Sequence, residues 1–417
     1  MLMENTFTLF EEAVAAELQV SSAHVGVAYT IFIAVDAVSG PFLGRFGERW
    51  GVRRCLLVAC VANATLTAVL GAARSLLWLY FGHALGGLVA AATFSPCLIG
   101  AVQLMPAGKQ GLATAAGTFA IVLFPAICSG PIRALVEASG VRVAYLSQGA
   151  LGTLLLCTCA AALPPRGRLV GGRDWAASGG SSAAENPGDG DVAAGTGGAA
   201  SAEPARTADV SPRRCTARFL GLYLAYLAAI TNYYFLEAEV QPIWQATFPP
   251  RSPLLGLALP LCLLVNGAAR IAWGAAARRL PAGRCMAGGL AAVVVGLNAW
   301  ALATRSAVLA VPELLFSLGA TVGSTCIWPL FPVLVSRLFD PRGAMSLYAL
   351  INTAGFLAAV IGAPVAALVA EKAGWSTTLH LFSILPLLAA ALLASAPLRD
   401  QVPNTGAQEE REVTLPT

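Results

Sequence analysis

Charge is what this sequence has least of. Only 12% of its residues are Asp, Glu, Lys or Arg, against about 25% in a soluble globular domain. Its three histidines are scattered, and it contains no Walker phosphate loop, no HExxH helix and no GxSxG elbow. Those absences remove the usual starting points for catalysis, so the chain does not read as an enzyme. A net charge of +4 is small and sits in the loops, which excludes a nucleic-acid partner. The ten cysteines have no CxxC spacing, and Cys55, Cys60, Cys97, Cys157 and Cys262 lie inside apolar runs. They read as small membrane residues rather than a disulfide or zinc framework, and no metal or cofactor is expected.

The positions that charge leaves vacant are apolar. Hydrophobic residues make up 57% of the chain, and its mean hydropathy is +0.70. A membrane helix needs about 20 apolar residues, and such runs recur almost from end to end. They are His24–Leu43, Cys55–Ala73, Leu76–Met105, Gly111–Val136 and Val141–Leu163, then Phe219–Ala246, Pro253–Ala277, Cys285–Ala303, Val308–Leu338, Met345–Ala370 and Thr377–Ala396. Met1–Leu18 is acidic and short, without the basic start and small-residue cleavage site of a signal peptide. It reads as the outer end of a first helix truncated at its N-terminus. Between the two groups, Pro164–Pro212 is rich in Gly, Ala, Ser, Asp and Pro and has no apolar period. Such a stretch cannot bury enough surface to offset its ordering entropy. The expected organisation is therefore an N-terminal helix bundle over 1–163, a disordered cytoplasmic linker over 164–212, a C-terminal bundle over 213–397 and a cytoplasmic tail over 398–417. That is an all-α multi-pass membrane protein of two six-helix bundles, in the plasma membrane or an organelle membrane, with the lipid bilayer as its first partner.

The two groups repeat one another weakly. Gly44–Arg54 reads GRFGERWGVRR, and Gly274–Arg284 reads GAAARRLPAGR at an offset of 230 residues. Gly130-Pro131 is matched by Ala363-Pro364 at an offset of 233, and Gly111 by Ala344 at the same offset. Parallel repeats of this kind are typical of transporters, with a site at the interface between them. The first copy is also the densest charge in the chain, with Arg45, Arg49, Arg53, Arg54 and Glu48 inside eleven residues. Arginines retained on one side place this loop in the cytoplasm.

The residues Gly44, Glu48, Arg49, Gly51, Arg53 and Arg54 resemble the loop between the second and third helices of the major facilitator superfamily: Gly, three residues, Asp or Glu, Arg, any, Gly, any, Arg, Arg or Lys. The resemblance implies a major-facilitator-type fold working by alternating access. It also implies that this loop is a gating latch, with Glu48 and Arg49 making charge contacts to the inner end of a helix of the other half.

Arg270 is the sharpest candidate for chemistry. It lies inside the apolar run LLVNGAARIAWG with Asn266 one turn earlier on the same face. An arginine in hydrocarbon is costly and faces a cavity or a partner, unless it snorkels to the interface. The pattern resembles the monocarboxylate transporters and oxalate–formate antiporters, in which a helix-eight arginine binds the substrate carboxylate. The resemblance implies Arg270 and Asn266 as substrate-binding residues and a small carboxylate as substrate. It departs from those groups at Asn266, where the animal carriers have an aspartate. It departs again near Gly355 and Asn5, where lysines are absent. Asp36, at mid-span in IFIAVDAVSG, is the residue type that relays protons in membranes. It is the coupling candidate, or else a helix–helix hydrogen bond between the halves. Glu237 and Glu239 suggest an outer-surface or gating role, His83 an interhelical hydrogen bond, and Arg133 a snorkelling residue. Tyr233, Tyr234, Trp244, Trp273 and Trp328 line either a cavity or the interface belt. The function expected is secondary transport of a small organic anion. The alternatives are an amino-acid or drug carrier of the same superfamily, or a non-transporting receptor with that fold.

Overall fold

A computed structural model describes residue 10 and residues 13–163, 212–248, 253–304, 310–340 and 343–395. The regular structure among these residues is entirely helical. Most of the 164–212 linker, the 398–417 tail and most of the stretch ahead of residue 13 lie outside them. Residues 13–18 are helical. The helices that follow are α1 Ser22–Trp50, α2 Val52–Gly71, α3 Leu76–Leu104, α4 Gln110–Ala162, α5 Pro212–Thr247, α6 Pro253–Ala276, α7 Ala282–Ala303, α8 Ala310–Ser324, α9 Ile327–Leu338, α10 Ala344–Phe382 and α11 Ile384–Ala394. Pro212, expected to close the linker, instead opens α5, a position where the missing N–H costs nothing.

Two of these helices are too long to be single spans. A straight helix of the 53 residues of α4 would run about 80 Å, far beyond a hydrocarbon core of about 30 Å. Gly140 interrupts it with φ 82° and ψ 168°, and Gly374 interrupts α10 with φ 79° and ψ 160°. Gly51, the turn between α1 and α2, has nearly the same conformation, φ 85° and ψ 156°. Positive φ of this kind is open to glycine and strained for other residues. One glycine thus reverses the chain at each of the three places. Counted so, with α8–α9 and the 375–394 stretch each taken as one span, the described residues form eleven apolar membrane segments.

The helices sort into two bundles. In the first, α1 packs along α3, and the part of α4 after Gly140 packs on α2. In the second, α5 runs beside α10 and α7 beside α8. Leu76–Leu104 and Val311–Leu338 are the most inward spans, 72% and 78% buried over their apolar windows. They meet across the bundle interface, where Phe94 of α3 stands edge-on to Trp328 of α9 at 5.7 Å. Other pairs also join the halves, above all α1 with α10 and α4 with α6, and then α4 with α9 and α3 with α10.

Candidate functional site

Arg270 sits on α6 where α6 meets α4, and it is 2% exposed. Its Nε donates to Asn266 Oδ1 at 3.0 Å, one turn back on the same helix. Nη1 donates to the Thr118 carbonyl at 2.9 Å, which belongs to α4 of the other bundle. Nη2 donates to the Tyr233 hydroxyl at 3.0 Å on α5. The guanidinium carbon lies 5.3 Å from the centroid of the Trp328 ring, within cation–π range. All three hydrogen bonds end on neutral acceptors. The Trp328 indole N–H lies beside the Tyr233 hydroxyl. Four helices from both halves therefore converge on one buried cation. Snorkelling is replaced by inward pairing.

Asp36, half-buried on α1, lies within electrostatic reach of the buried Tyr226 of α5. Tyr226 in turn donates to Asn352 Oδ1 of α10 at 2.8 Å. Tyr226 and Tyr233 are two turns apart on one face of α5, so Asp36 and Arg270 stand near the two ends of a tyrosine pair. Glu237, one turn beyond Tyr233, is exposed and within electrostatic reach of Tyr233 and Cys262. His83 is buried and bonds through Nδ1 to the Leu79 carbonyl of its own helix at 2.9 Å. Arg133 pairs with Glu137 at 3.0 Å on an exposed surface. Trp244 is core, packed beside Trp300, and the Trp273 indole donates to the Val322 carbonyl at 2.7 Å.

The Gly44–Arg54 stretch, expected as a loop, is instead the end of α1 and the start of α2 around the Gly51 turn, and it reaches the opposite half. The Glu48 carboxylate accepts from the Ser346 backbone N–H at 2.8 Å and from its hydroxyl at 3.0 Å. Ser346 lies in the first turn of α10. The first N–H groups of a helix lack partners within it, and a carboxylate there also meets the positive end of the helix dipole. Arg49 does not share this contact. It is exposed, and its guanidinium lies 5.3 Å from the Trp50 ring, with Arg54 at 4.7 Å from the same ring. Arg53 lies in the first turn of α2, after the Gly51 turn. Just before Glu48, Gly44 lies directly against α10: a Cβ there would fall 2.7 Å from Ser346 Cα.

The two halves are also reflected in the sequence profile of the Major Facilitator Superfamily, which matches residues 1–185 and 222–416. The chain belongs to the major facilitator superfamily. No curated protein matches it by sequence. Among solved structures it is similar to the proton:xylose symporter XylE bound to 6-bromo-6-deoxy-D-glucose, at 12% identity and a TM-score of 0.70, over 94% of this chain and 90% of that one. It is also similar to the human organic anion transporter MFSD10 (TETRAN), at 20% identity and a TM-score of 0.64, over 94% and 96%. At these identities the likeness is one of fold.

Seen as a facilitator, the chain carries one kind of contact between its halves twice. Gly44 and Gly274 are repeat mates, as are Gly111 and Ala344. Gly44 packs on the start of α10, and Gly274 packs on the start of α4, where a Cβ on Gly111 would fall 2.9 Å from the Gly274 carbonyl. The two contacts are the same contact in the two orientations of the pseudo-repeat. Only the first has a carboxylate, since the repeat mate of Glu48 is Arg278. In the second, the Thr114 hydroxyl donates across the halves to the Pro329 carbonyl at 2.7 Å.

Reading the sequence did not single out Thr114, Thr118 or Glu313. The threonines carry no signal, because small polar residues are common in membrane helices. Glu313 carries one: it is a lone carboxylate in the apolar run of α8. It is 2% exposed and accepts from the Trp300 indole at 3.0 Å and from the Thr247 hydroxyl. It thereby ties together α5, α7 and α8.

Proposed function

We propose that this facilitator carries a small organic anion, in the first place a carboxylate, with Arg270 as its ligand and Asn266 holding Arg270 in place. The supporting observation is that a buried guanidinium in the seam between the halves has only neutral acceptors for its hydrogen bonds. Such a group is poised to exchange one of them for an anionic oxygen, because charge-assisted bonds are shorter and roughly twice as strong. The seam is where transporters of repeated halves hold substrate. We assign Asp36 to proton coupling. The test is uptake of labelled lactate, pyruvate, oxalate and formate into proteoliposomes, with xylose as a neutral comparator and an imposed proton gradient. Carboxylate uptake driven by the gradient is expected, and Asp36→Asn is expected to abolish the drive while leaving exchange. Uptake of xylose alone would sink the anion assignment.

The Gly44–Arg54 loop is the latch of the inner-closed state in this reading. Gly44 gives the approach, Glu48 the bond, Gly51 the turn, and Arg49, Arg53 and Arg54 the cytoplasmic charge. Hydrogen bonds to a charged group contribute about 1.5–3 kcal/mol. Glu48→Ala is therefore expected to shift the conformational equilibrium away from inner-closed by roughly 10- to 150-fold. Faster hydrogen exchange in the first turn of α10 would register it. Arg49→Ala is expected to slow transport with little loss of folded protein. Unchanged exchange in Glu48→Ala would show that the bond does not hold the gate.

A further inference from the structure

Around Arg270 the position an anion would take is filled by a side chain. The Tyr233 hydroxyl oxygen receives the Nη2 bond at 3.0 Å, with the Trp328 indole N–H beside it. The Tyr233 ring stands edge-on to Trp328 at 5.2 Å and to Tyr234 at 5.8 Å. Beyond Trp328, Phe94 of the other half continues the row at 5.7 Å. The half-buried Trp328 and Tyr234 keep part of their surface uncovered. In chemical terms, the side chain on the guanidinium is an aromatic ring bearing an oxygen, packed edge-on between aromatic neighbours.

We infer that Tyr233 is a built-in placeholder for the substrate, and that the preferred substrate is an aryl carboxylate. Its carboxylate takes the place of the Tyr233 hydroxyl on Arg270 and the Trp328 N–H, and its ring takes the place of the phenol between Trp328 and its neighbours. This rests on the proposed anion site and narrows it. An aliphatic acid satisfies the guanidinium but leaves the aromatic walls without a partner. Aromatic pairs gain from edge and offset contacts that a saturated ring of similar size does not offer.

The test uses phenylacetate and cyclohexylacetate, which share charge and approximate size and differ in aromaticity. Binding to the purified, detergent-solubilised protein is measured by calorimetric titration. Phenylacetate is expected to bind about tenfold more tightly, and Trp328→Leu is expected to erase that ratio. Tyr233→Phe, which keeps the ring and removes the competing hydroxyl, is expected to bind phenylacetate at least as tightly as wild type. Equal binding of the two acids, lost in Arg270→Ala, overturns the aryl preference and leaves the anion site standing. Weaker phenylacetate binding in Tyr233→Phe overturns the placeholder role. Binding of neither acid, or binding unchanged in Arg270→Ala, overturns both this inference and the anion site beneath it.

Discussion

Arg270→Ala is expected to abolish measurable uptake of an anionic substrate, and Arg270→Lys to restore little of it. The guanidinium already directs three N–H groups to three acceptors on three helices, and its planar fork matches a carboxylate through two parallel bonds. A lysine offers one compact charge on a flexible stem and cannot hold Asn266, Thr118 and a carboxylate in one geometry. Losing hydrogen bonds to a charged group costs about 1.5–3 kcal/mol, which is roughly a 10- to 150-fold loss of affinity. Substrate-dependent uptake measured against protein yield separates the binding role from a folding defect. If Arg270→Ala forms the same amount of folded protein and carries the same anions at the same rate, Arg270 is only a staple between α6 and α4. The bond to the Thr118 carbonyl then becomes its whole purpose.

The second large effect concerns the inner contact that has no carboxylate. Gly274→Val is expected to hold the inner side open and to reduce transport by at least about tenfold. A Cβ at 274 would meet both the Gly111 carbonyl and the Ala115 side chain closer than van der Waals contact allows. The obstacle is partly backbone, so no rotamer change relieves it, and overpacking of this kind typically costs about 1–3 kcal/mol. In the proposed gating, that penalty falls on the inner-closed arrangement, in which α4 and α6 are in contact. Hydrogen exchange should therefore rise in the first turns of both α4 and α10, because the two repeat-related contacts close one gate. Exchange that rises in α4 alone would mean that the two contacts move independently.

Several of these features were legible in the sequence because they are local. Arg270 and Asn266 are one turn apart on one helix, so their hydrogen bond follows from helical spacing. The eleven-residue island and its faded copy are readable as a pattern, and Gly51 stands where a tight turn needs positive φ. Glu48 was legible as a residue that reaches the other half but its target was not: Ser346 lies 298 positions away, and the donor it meets is a helix N-terminus rather than a basic side chain. Arg49 reads as a partner for the other half, yet Trp50 beside it offers a nearer surface. Tyr233 and Trp244 show why the site was only partly visible. Both are aromatics of α5, and nothing in their neighbourhoods along the chain distinguishes them. Packing buries Trp244 beside Trp300 and lays Tyr233 on Arg270.

The sequence by itself determined the spans, the break between the halves, the superfamily motif and the costly arginine, because hydropathy, helical period and turn chemistry act over a few residues. Only the tertiary structure decided what Arg270 touches across the halves, which helix Glu48 caps, and that Gly44 and Gly274 each lie against the first turn of a helix of the opposite half. Those contacts join residues from 37 to 302 positions apart. They exist because the two bundles meet along a seam, and the geometry of that seam is set by the packing of all the helices at once.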